Sequence, residues 1–97
     1  MSMELEKKDL DPTAKAYFDM GLNFYNRGKF LEATEQWRMA VSKDSAFVDA
    51  FKYLGMAYER LGWTFKAKKA WEQYSKLSKD PATQARVQEH LKKLDGK

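Results

Sequence analysis

A chain of 97 residues without cysteine has room for one domain and excludes a disulfide framework, a thiolate zinc site and thiol chemistry. Its 43% hydrophobic and 33% charged residues, with five glycines and two prolines, describe a folded helical protein and exclude a loop-rich or disordered one. The net charge of +4, from 18 basic against 14 acidic side chains, interleaves both signs, which favours solubility and makes nucleic acid an unlikely partner.

Residues 1–10 carry only Leu5 and Leu10 as large aliphatic anchors, and a flexible lead-in is expected there. No apolar run follows a basic start and no stretch of about 18 apolar residues occurs, so the sequence reads as cytoplasmic, with no secretory signal and no membrane span. Asp11-Pro12 supplies a capping carboxylate and a proline suited to the first helical position. The first helix, α1, is expected over 12–27, with Ala14, Tyr17, Met20 and Phe24 three or four apart on the core face. Gly28 ends it.

The second helix, α2, is expected over 30–43, with Phe30, Ala33, Trp37, Ala40 and Val41 on one face; so tight a turn makes it the antiparallel neighbour of α1. Asp44-Ser45 caps α3, expected over 46–61, with Phe51, Leu54 and Tyr58 inward and Gly62 as its stop. The fourth helix, α4, spans 64–78 and buries Trp63 or Phe65 together with Ala67, Trp71, Tyr74 and Leu77. Asp80-Pro81 opens α5, expected over 81–94.

One pattern runs through these elements. Tyr17-x-x-Met20-Gly21-x-x-Phe24 with Ala33-x-x-x-Trp37 returns 34 residues later as Phe51-x-x-Leu54-Gly55-x-x-Tyr58 with Ala67-x-x-x-Trp71. The chain thereby resembles the tetratricopeptide repeat family, whose period is 34. The resemblance implies an all-α domain over 11–97, an α-α superhelix of two antiparallel hairpins, 12–45 and 46–80, followed by a capping helix to 95. A further 34 residues from Phe51 and Leu54 give Ala85 and Gln88, a poor core face, whereas Val87, Leu91 and Leu94 make an apolar stripe. The expectation is that the period slips by two residues and that α5 is a cap. A glycine inside a helix costs about 1 kcal/mol relative to alanine, so Gly21 and Gly55 imply close approach of the paired helix, with Ala33 and Ala67 opposite and Trp37 and Trp71 buried beside them.

Chemistry is sparse. His90 is the sole histidine and reads as a solvated residue on a polar helix face. Glu32 and Glu35 lie three apart with nothing to desolvate them, and no phosphate-binding loop occurs. No catalytic, metal or cofactor site is expected, and the protein reads as a non-enzyme.

The resemblance implies instead a protein-interaction adaptor that holds a peptide or protein segment in a concave groove. On that template the groove is lined by Lys15, Phe18, Leu22, Tyr25 and Asn26 of α1 and by Asp49, Lys52, Met56, Glu59 and Arg60 of α3, with Gln88 and Lys92 closing it. Phe18, Leu22 and Met56 fall outside the core stripes, so an exposed apolar recognition cluster is expected there. The carboxylate clamp by which one branch of the family grips chaperone tails is absent, because Phe18, Leu22 and Tyr53 stand at its places. Two alternatives remain. One is self-association into a homo-oligomer through the surface of α1, α3 or α5. The other is a small regulator that meets an acidic or nucleic-acid-bound partner through Arg60, Lys66, Lys68, Lys69, Lys76 and Lys79.

Overall fold

A computed structural model describes residues 12–96; the expected lead-in over 1–10 and the Asp11 cap lie outside them. Five helices follow one another, α1 Pro12–Asn26, α2 Phe30–Lys43, α3 Val48–Arg60, α4 Thr64–Ser78 and α5 Pro81–Asp95, and no strand occurs among the described residues. Each helix packs on the next in sequence, most extensively within the α1/α2 and α3/α4 hairpins.

The hairpin turns are built alike. Gly28 and Gly62 both adopt φ +77° with open space where a Cβ would stand, so backbone conformation and not crowding selects glycine. Lys29 N–H returns to Phe24 O at 2.9 Å and Trp63 N–H to Tyr58 O at 2.8 Å, satisfying the last carbonyls. The start of α3 differs from expectation by two residues. The Asp44 carboxylate accepts from Ala46 N–H at 3.0 Å, holding a turn, and Phe47 tucks against Ala14, Ala40 and Ala50 before the helix begins. At α5 the expected cap forms, with Asp80 accepting from the Thr83 amide at 3.3 Å and its hydroxyl at 2.6 Å.

The core centres on Trp37, which has no exposed surface. Its ring lies 5.7 Å from Tyr25 and 5.3 Å from Tyr53, and its Nε1–H donates to Phe18 O at 3.0 Å. A fully buried indole of this kind contributes about 3 kcal/mol or more. The glycines meet the tryptophans, not the alanines expected opposite them: a Cβ on Gly21 would stand 2.3 Å from Trp37 Nε1, and one on Gly55 2.7 Å from the Trp71 ring. Ala33 and Ala67 are buried in the same cluster. Because the inward face of α1 centres on Ala14 and Gly21, Met20, about 100° round the helix from Gly21, is 47% exposed instead of buried. Phe65 is likewise turned out, 71% exposed, opposite Ala67.

The period does not slip at α5. The α3 residues that pack back on α2 are Ala50, Tyr53 and Ala57, grouped with Ala40, Ala33 and Trp37. Thirty-four residues on stand Gln84, Val87 and Leu91, and these carry the packing of α5 on α4. Val87 and Leu91 are buried, and Gln84 Nε2 donates to Ser75 O at 3.1 Å. The other face of α3, which meets α4, corresponds to Ala85, Gln88, Glu89 and Lys92, and these are exposed.

Candidate protein-interaction surface

Helices α1, α3 and α5 touch through side chains in a row. Phe18 and Tyr25 of α1 reach Tyr53 of α3 at 5.6 and 6.5 Å between ring centroids, and Glu59 of α3 meets His90 of α5. Helix α2 packs on α1 and α3, and α4 on α3 and α5. The residues expected to line a groove are all carried by α1, α3 and α5, and they divide into two regions of different chemistry.

The α1 region is aromatic and largely closed. Phe18, expected to be exposed, is half-buried between Trp37, Phe47 and Tyr53; Leu22 and Tyr25 are also half-buried against the core. The reason is that α1 is covered by both α2 and α3, so its apolar face is wider than the stripe facing one neighbour. Only Lys15 and Asn26 of the α1 set are fully open, and Lys15 pairs with Asp19 at 3.0 Å. The exposed ion pair adds little to stability.

The α3/α5 region is polar and open. Asp49 and Lys52 are exposed and Met56 is half-buried. Arg60 turns away toward α2, its guanidinium 4.9 Å from the Phe30 ring. Glu59 is engaged within the structure: its Oε2 accepts from Trp71 Nε1–H at 2.6 Å and lies 2.6 Å from His90 Nε2. A carboxylate oxygen can only accept, so the proton sits on His90 Nε2. His90 therefore is no solvated bystander; its ring also meets Trp71 edge-on at 5.1 Å. One carboxylate joins three helices, which is why Trp71, expected to be buried, is held half-exposed at the rim.

Beside this junction is a hollow of about 230 Å³ floored by Trp71, Tyr74 and Val87 and edged by Lys52, Thr83, Arg86 and His90. Neither Lys52 nor Arg86 forms a close ion pair among the described residues; Arg86 donates to the Thr83 hydroxyl at 3.3 Å, and its charge also acts on Asp80, which accepts from the same hydroxyl. Of the two residues expected to close the groove, Gln88 lines a separate hollow with Lys76 on the α4 flank, and Lys92 is exposed and does not line this one. Arg86 and His90 line it on the α5 side. The unbroken period identifies both, since they fall 34 residues after Lys52 and Met56; the assumed slip concealed them.

The α4 lysines are dispersed: Lys66 lies over Tyr58 and Trp63, Lys69 over Phe65, and Lys68 pairs with Asp95. No group of His, Asp or Glu that could hold a metal occurs among the described residues, and no described helix is long and apolar enough to cross a membrane.

No family model matches the chain. Over 57 residues, 59% of its length, the chain is 42% identical to Tetratricopeptide repeat protein 13 of Homo sapiens. That match spans 6% of the human protein. Together with five packed helices and a 34-residue period, this similarity fits an all-α, tetratricopeptide-like helical repeat.

Proposed function

We propose that the protein is a non-enzymatic interaction module of two tetratricopeptide-like repeats closed by α5, and that it holds a segment of a protein partner along the α1/α3/α5 row. The observation that carries this reading is the hollow between α3 and α5, where Lys52 and Arg86 stand outside any close ion pair over the aromatic floor of Trp71 and Tyr74. Exposed cations around an apolar floor suit a segment with an aspartate or glutamate next to an apolar side chain. Met56, half-buried one turn after Lys52 on α3, can adapt to different side chains. The similarity to a tetratricopeptide repeat protein supports protein partners in general.

Selection of phage-displayed random peptides on the intact chain tests the proposal. Enriched peptides are expected to share an acidic residue beside an apolar one, and to lose at least tenfold in affinity for Lys52→Glu/Arg86→Glu with the far-UV circular dichroism unchanged. Peptides without acidic residues, or binding that survives the double substitution, would refute it.

A further inference from the structure

The α2 and α4 side of the molecule carries a charge pattern that the groove reading does not use. Four of the five exposed large apolar side chains among the described residues, Leu31, Met39, Trp63 and Phe65, belong to α2, to α4 or to the residue that precedes α4. Residues 34 apart occupy equivalent places in the two hairpins, as Trp37 against Gly21 and Trp71 against Gly55 demonstrate. At three such outward places the sign of charge inverts: Glu32 becomes Lys66, Glu35 becomes Lys69 and Arg38 becomes Glu72. All six side chains are exposed, and none forms an ion pair among the described residues.

We infer that this side is a docking surface for a second copy of the chain, joined by a two-fold axis running parallel to α2 and α4. Such an axis lays α2 of one copy over α4 of the other without reversing direction, so residues 34 apart face each other across the interface. Glu32 then meets Lys66, Glu35 meets Lys69 and Arg38 meets Glu72, each twice by symmetry. Leu31 comes over Phe65 at one end and removes the most exposed aromatic ring of the described chain from water. The arrangement that lays α2 over its own copy sets glutamates against glutamates, and the charge pattern rejects it. A closed pair uses both helices of each copy at once. This proposal uses none of the residues that line the hollow beside α5.

Sedimentation velocity of the intact chain over a wide concentration range tests it. A monomer–dimer equilibrium is expected that weakens with salt, as contacts between exposed charges do. Glu32→Lys/Glu35→Lys and Lys66→Glu/Lys69→Glu should each raise the dimer dissociation constant at least tenfold while the helical signal is kept. Mixed in equal amounts, the two variants should recover a one-to-one dimer, because one copy is then basic on both helices and the other acidic on both. A wild-type chain that stays monomeric, an assembly that grows past two copies, or variants that dimerise like wild type would each overturn the inference. So would a mixture that fails to recover the dimer.

Discussion

Alanine at Gly21 and alanine at Gly55 are the same change at equivalent places, yet the structure separates their costs. At Gly21 the new Cβ would stand 2.3 Å from Trp37 Nε1 and 2.6 Å from Cδ1 and Cε2, so the indole must retreat by about 1 Å to reach ordinary contact. It has nowhere to go. The ring is fully buried, packed between Tyr25 and Tyr53, and its N–H is tied to a backbone carbonyl. Overpacking of this kind costs about 1–3 kcal/mol and loosening the indole hydrogen bond about 1 kcal/mol more, while the gain in helix propensity returns about 1 kcal/mol. The net loss for Gly21→Ala is therefore about 1–3 kcal/mol, or about 4–8 °C in melting temperature per kcal/mol for a domain of this size. At Gly55 the nearest indole atoms are 2.7 Å away, but Trp71 is half-exposed beside a hollow and its N–H is held by the side chain of Glu59, which can follow it. Gly55→Ala should stay within about 1 kcal/mol of wild type. Thermal and urea unfolding followed by far-UV circular dichroism measure both. A Gly21→Ala protein as stable as wild type, or a larger loss at Gly55, would refute the account of close approach.

Glu59→Gln removes the charge that Trp71 and His90 share; about 1 kcal/mol of stability should be lost after allowing for partial exposure, with amide hydrogen exchange accelerating first in α5. Burial pushes the Tyr58 phenol above its ordinary value of 10.0, partly offset by Arg38. A raised folded-state pKa gives stability that is complete below about pH 10 and is lost as pH rises through the folded value, so Tyr58→Phe should unfold less steeply in alkali than wild type. Asp80 is held below the usual carboxylate range chiefly by the Thr83 hydroxyl and amide. Its contribution is present above the ordinary carboxylate pKa and disappears as pH falls through the lowered one, so Asp80→Ala should lower the melting temperature at neutral pH and converge on wild type in acid.

The helix ends were legible because they depend on local chemistry: Gly28 and Gly62 in left-handed turns, and Asp80-Pro81 as cap and first residue. The start of α3 was less so, since Asp44 can cap a helix or hold a turn, and only the seating of Phe47 on Ala14, Ala40 and Ala50 decides between them. Burial on α1 was misjudged for a related reason. A stripe with helical spacing describes contact with one neighbour, whereas α1 is packed by two, so Phe18 and Leu22 leave solvent although they stand outside the stripe. His90 was the hardest to place. A lone histidine on a polar helix carries no pattern of its own, and its role depends on Glu59, 31 residues away.

The apparent loss of the repeat in α5 has a physical origin. Leu54, Gly55 and Tyr58 are buried in α3 because α4 covers them; in α5 no following helix covers their counterparts among the described residues, so Gln88, Glu89 and Lys92 can be polar without cost. The face that must be apolar is the one laid on α4, and there Val87 and Leu91 follow Tyr53 and Ala57 in step. Searching α5 for the large-small-aromatic pattern of α1 and α3 seeks contacts it does not make, which turned an intact period into a two-residue slip. With the period intact, Arg86 and His90 align with Lys52 and Met56, and the polar end of the α1/α3/α5 row follows from the same spacing that sets the hairpins.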